Sequence, residues 1–209
     1  MEWSNILTGI IAVLVFAIGL PLALRKRKTG GPQNVEQFLR HLQEIRVKAS
    51  LAEKGVEEER IGAGRSWGRR SEGVIKIEGR NIDYINVSSV ASQYGVNYFL
   101  DYLVKSPGWS GISRQKKKKT RMVRKKSPAI WGRVVDIEWK GDIYLSQRLN
   151  LDYRLKDILL QTDFKKLKTS IVIFPEPKYG YERVRTNYFL LSPDLFEAID
   201  IIAKHVKSG

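Results

Sequence analysis

Residues 4–24 carry no charged side chain, and within residues 6–24 the apolar run is interrupted only by Thr8, Gly9, Gly19 and Pro21. A helix rises about 1.5 Å per residue, so this stretch reaches roughly 28 Å, close to the roughly 30 Å hydrocarbon core of a bilayer. Trp3 stands at its start, where an amphipathic ring suits the headgroup level, and Arg25, Lys26, Arg27 and Lys28 follow it at once. The pattern predicts a transmembrane anchor over residues 1–28. Its basic flank belongs on the cytoplasmic side, which places the N-terminus outside and the body inside a cell membrane crossed once. A cleaved signal peptide needs a basic start and a shorter apolar core, whereas this chain starts with Glu2 and a run that is too long.

Beyond a breaker at residues 29–32, Asn34 is a candidate N-cap for a helix over residues 35–60. Val35, Phe38, Leu42, Ile45, Ala49, Ala52 and Val56 alternate spacings of three and four, the seam of a short coiled coil. That seam serves either a homodimer through residues 35–56 or a single amphipathic helix laid on its own domain. Residues 29–73 therefore read as a juxtamembrane stalk that ends in a Gly/Arg linker over 61–73.

The remainder, residues 74–209, reads as a cytosolic α+β domain of three strand-strand-helix units, with an antiparallel sheet and helices on one face. The first unit is a hairpin over 74–87 and a helix from the Ser88-Ser89 cap to about Lys105, which lines up Tyr94, Tyr98 and Tyr102. The second has strands at 130–139 and 143–145 and a helix over 150–161. The third has strands at 170–174 and 181–191, then a closing helix with Ser192 as N-cap, Pro193 at its first position and the stripe Leu195, Ile199, Ile202, Val206.

Composition narrows the chemistry. The 209 residues include no cysteine and two histidines, His41 and His205, so disulfides, thiol catalysis and cysteine- or histidine-rich metal sites are excluded. No catalytic residue, metal ligand or cofactor site is assigned. The formal net charge of +15 is concentrated in residues 25–28, in Arg65, Arg69 and Arg70, and in residues 114–126, where nine of thirteen side chains are basic and none is acidic. Such a run lacks the apolar positions of a buried helix, so a solvated loop over 106–128 is expected.

The candidate anion- or lipid-binding residues are Arg25, Lys26, Arg27, Lys28, Lys116, Lys117, Lys118, Lys119, Arg121, Arg124, Lys125 and Lys126. Tethered beside a bilayer, they suit anionic lipid, and nucleic acid offers the same electrostatic attraction. The expected function is that of a scaffold or adaptor that contacts anionic lipid or a protein partner; the alternative is a membrane-tethered nucleic-acid binder. A third reading, a metal-dependent nuclease, rests on Asp136, Glu138 and Lys140 with Asp83 as a further acid. Against it, the two acids alternate with Val135, Ile137 and Trp139 as one face of an ordinary strand, free to pair with Arg183 and Arg185 on a neighbour.

An anchored chain resists extraction by alkaline carbonate, and protease added outside intact cells spares its domain. Recovery of a soluble species that lacks the first 24 residues would sink the anchor.

Overall fold

The computed structural model describes residues 31–62, 68–106, 117–127, 133–162 and 170–209. The anchor, Arg25, Lys26, Arg27, Lys28, Lys116 and the centre of the expected linker lie outside the described residues, among which no helix is long and apolar enough to cross a membrane.

Helix α1 (Gly31–Glu44) buries Val35, Phe38 and Leu42 in the core of the domain. It stops because Arg46 takes the left-handed conformation, with φ of 62°. The Val47 N–H then bonds the Leu42 carbonyl and the Arg46 N–H bonds the Gln43 carbonyl, both at 2.9 Å. These two reversed bonds satisfy the last carbonyls of the helix in a Schellman turn. The expected helix over residues 35–60 is thereby corrected. Its later seam positions fall in strand β1 (Ala49–Leu51) and in the approach to a 3-10 turn at Glu57–Arg60, while its first three are buried against the sheet. The compact unit spans Gly31–Gly209.

The remaining strands are β2 (Arg69–Ile77), β3 (Tyr84–Ser92), β4 (Gly95–Lys105), β5 (Thr120–Ser127), β6 (Arg133–Lys140), β7 (Val172–Glu176) and β8 (Tyr181–Asn187). They form one eight-stranded sheet in the order β1-β2-β3-β4-β8-β7-β5-β6, with every neighbouring pair antiparallel. Helices α2 (Ile143–Leu151), α3 (Tyr153–Gln161) and α4 (Pro193–Lys207) join α1 on one face, over a core that includes Ile85, Leu100, Tyr102, Ile137, Trp139 and Val184. The α+β class, the antiparallel sheet and the one-sided helices agree with the sequence pattern. The closing helix does too, with Ser192 accepting the Leu195 N–H at 3.3 Å and its four stripe residues buried.

Five local expectations change. The helix expected after Ser88 is the β3–β4 hairpin, because residues four apart share a face on a strand as well as on a helix. Tyr94 lies exposed at its turn, whereas Tyr102 is fully buried. The expected strand 143–145 opens α2, whose N-cap Asp142 accepts the Leu145 N–H, and Asp152 breaks the expected single helix into α2 and α3 by capping Leu155. Part of the expected linker is β2. Part of the expected basic loop is β5, anchored by buried Met122 on the helix side and paired along its length with β6.

β6 is an outer strand, and its free edge is closed by side chains. Asn150 accepts the Trp139 N–H at 2.7 Å and donates to the Trp139 carbonyl at 3.0 Å, while Asp136 accepts the Ile137 N–H at 2.8 Å. An edge so capped offers little template for another chain.

A left-handed non-glycine residue costs roughly 1 kcal/mol or more. Arg46→Gly is therefore expected to raise the stability of the domain by about 1 kcal/mol, read as a higher urea midpoint at unchanged slope.

Candidate anion-binding face

The strand period of two sends alternate side chains away from the helices. On β4 these are Phe99, Asp101 and Leu103; on β8 Tyr181, Arg183 and Arg185; on β7 Val172, Phe174 and Glu176; on β5 Arg121, Val123 and Lys125. At one end this second face is covered by the 3-10 turn, where Ile61 packs on Leu103 and Tyr181 and the Tyr181 hydroxyl donates to Glu58 at 2.7 Å.

Asp101 is the centre of the face and is fully buried. Its Oδ1 accepts from Arg183 Nη1 at 3.1 Å and Arg185 Nε at 2.8 Å, and its Oδ2 accepts from Ser88 Oγ at 2.7 Å and from Arg69 Nη2. Arg183 also donates its Nε and Nη2 to Glu176 Oε1, at 3.0 and 2.8 Å. Burial pushes the Asp101 carboxyl up to about 7, against the pull of the Arg183 charge and the Ser88 hydroxyl. The guanidiniums stack as well as bond: Arg183 lies 4.4 Å from the centre of the Phe174 ring, and Arg185 lies 5.3 Å from both Phe174 and Phe99. Sequence reading missed this network. Its traces are a single acid inside the apolar stretch around Asp101 and two arginines two residues apart in β8.

The structure distributes the predicted basic residues among different roles. Lys117 is a tie within the fold, donating to buried Glu182 at 2.7 Å and to Ser106 Oγ at 3.2 Å. Lys118 and Lys119 are exposed, the latter 5.1 Å from the Phe174 ring centre. Arg121 is exposed on the helix-free face, opposite Val172 of β7 and Lys140 of β6. Lys125 shares that face and is engaged by Asp136 at 3.3 Å and Glu138 at 3.4 Å, whereas Arg124 and Lys126 point to the other side of the strand. Gly141 holds the start of β5 in place, since a Cβ there would stand 2.1 Å from the Lys119 carbonyl oxygen.

The acids of β6 do not meet the arginines of β8, because β5 and β7 lie between them. Asp136 pairs with Lys156 of α3 at 2.7 Å and with Lys125, and Glu138 with Lys125 and Lys140. The bond from Lys156 and the Ile137 N–H hold the Asp136 carboxyl down at about 2. Asp83 is occupied elsewhere, by Lys207 at 3.0 Å and the Lys105 N–H at 2.8 Å. Among the described residues no group of three potential metal ligands occurs. The nuclease arrangement, which needed a third acid beside Asp136 and Glu138, is not what these residues form.

No protein-family model matches the chain, and neither does any curated protein or solved structure with which it was compared.

Asp101→Ala removes both acceptor oxygens and leaves buried donors of Arg69, Arg183 and Arg185 without them. The expected loss is about 3–5 kcal/mol of stability. Ser88→Ala removes one hydrogen bond from the same carboxylate and costs about 1–3 kcal/mol. Urea unfolding at pH 8 measures both, and equal effects would contradict the central role of Asp101.

Proposed function

We propose that the chain is a single-pass membrane protein whose cytoplasmic domain is an interaction module, a scaffold or adaptor that rests its basic surface on anionic lipid. The apolar run over residues 6–24 and its basic flank Arg25, Lys26, Arg27 and Lys28 support the anchor and its orientation. The observation that carries the reading is the placement of the basic segment. Lys118, Lys119 and Arg121 stand exposed with no acidic ion-pair partner among the described residues, and Lys119 and Arg121 border the arginines of β8 on one sheet face. Basic side chains near an anionic leaflet contribute about 1 kcal/mol each.

Lipid is favoured over nucleic acid by what adjoins the cations. Asp142 accepts the Lys118 N–H at 3.4 Å and donates its own N–H to Thr120 Oγ1 at 3.1 Å. This sets Lys118 beside the start of α2, where Ile143 and Tyr144 are 65% and 67% exposed. An aliphatic and an amphipathic aromatic side chain next to cations suit the headgroup boundary of a bilayer better than a phosphodiester backbone.

The segment 31–209 contains the whole described core and is the unit to test. It is expected to sediment with phosphatidylcholine vesicles that carry phosphatidylglycerol, in a salt-sensitive manner, and not with phosphatidylcholine alone. Combined replacement of Lys118, Lys119 and Arg121 by Gln removes about 3 kcal/mol, roughly a hundredfold in partitioning. Binding to single-stranded or duplex DNA without binding to vesicles would transfer the face to the nucleic-acid reading.

A further inference from the structure

The charges of the buried network do not balance. Each carboxylate oxygen accepts about two hydrogen bonds, and those of Asp101 are filled by Arg69, Ser88, Arg183 and Arg185. Glu176 is occupied by Arg183 alone of the three arginines. Two carboxylates thus answer two guanidiniums, and Arg185 is the third. Among the described residues its Nε bonds Asp101, and its Nη2 is buried without a hydrogen-bond partner. A guanidinium in that condition retains a donor for which the described residues supply no acceptor.

The register shows where such an acceptor would sit. Arg185 is opposite Val172 on β7, and Val172 is opposite Arg121 on β5, so the two arginines flank a valine on one face. Two strand spacings separate their backbones by about 10 Å, a gap that two arginine side chains close around one tetrahedral anion. Lys119 approaches from the side, over Phe174, whose ring also carries Arg185. The nearby carboxylates of Asp101 and Glu176 are already neutralised by Arg69 and Arg183, which leaves the outward field positive.

We propose that Arg185, Arg121 and Lys119 form a phosphate-binding site over Val172. Arginine suits phosphate because its planar fork donates two parallel hydrogen bonds, and the rings of Phe99 and Phe174 hold the Arg185 plane in position. The site deepens the reading of this face as a surface for anionic lipid, on which it rests, by giving it a phosphomonoester preference. A lipid headgroup and a free phosphate share the chemistry, and they are distinguished by the arms of one experiment.

For segment 31–209, inorganic phosphate is compared with chloride at matched ionic strength by thermal unfolding, and affinity is taken from the concentration dependence of the midpoint. In parallel, vesicles carrying a phosphatidylinositol phosphate are compared with phosphatidylglycerol vesicles of equal charge density. Phosphate is expected to raise the midpoint. Arg121→Gln, at an exposed position, is expected to weaken phosphate about tenfold and to remove any preference for monoester vesicles, while Lys204→Gln on α4 changes neither. Arg185→Lys, which keeps the charge and loses the fork, should do the same as Arg121→Gln if the variant remains folded. Phosphate without effect beyond chloride, or Arg121→Gln indistinguishable from Lys204→Gln, overturns the site even where phosphatidylglycerol vesicles still bind. Phosphate binding that needs Arg121 but is accompanied by no vesicle adhesion upholds the site with soluble phosphate as its ligand and removes the membrane-surface reading instead.

Discussion

Asp101 is a carboxylate without access to water on a strand in the middle of the sheet, and the second face of the domain is organised around its charge. Burying an ion is tolerable only where counter-charges and hydrogen bonds surround it closely. Here they come from β2, β3 and β8, with Glu176 of β7 as a second acceptor, so one side chain links the β2–β3–β4 meander to the β7–β8 hairpin. Apolar packing on the helix side provides the bulk of the stability. The polar network fixes register, because slipping any strand by one residue would turn its arginine to the wrong face.

The same constraint explains why the two faces differ in kind. Helices α1 to α4 cover one side with aliphatic and aromatic side chains, and α4 is tied to the β2–β3 turn by Asp200, which accepts the N–H groups of Asn81 and Ile82 and the Asn81 side chain. No helix among the described residues covers the other side. It is filled by the guanidiniums of Arg183 and Arg185, which lie over the rings of Phe99 and Phe174. The exposed cations of β5 continue this surface outward, and the capped edge of β6 keeps it from pairing with another sheet.

What one chain segment does therefore depends on its two faces separately. Along β5, Met122 joins the core while Arg121 and Lys125 face away, so a segment whose charge suggests a solvated loop is a structural strand with exposed cations on its outer face. Lys117 shows the converse, a lysine of the basic run absorbed by buried Glu182, whose carboxyl burial pushes up and Lys117 pulls down.

Local pattern alone determined the closing helix, since Ser192, Pro193 and a four-residue stripe leave little choice, and it determined the α+β class, the antiparallel pairing and the position of the basic segment. It misjudged residues 45–56 and 88–105, because Ala49 follows a left-handed Arg46 that no spacing reveals, and because tyrosines four apart are co-facial on helix and strand alike. The arginine site belongs wholly to tertiary structure. Asp101 and Arg185 are 84 residues apart, and only strand order brings them within 2.8 Å; that order arises from packing both hairpins under one set of helices, a long-range term that periodicity along the chain does not contain.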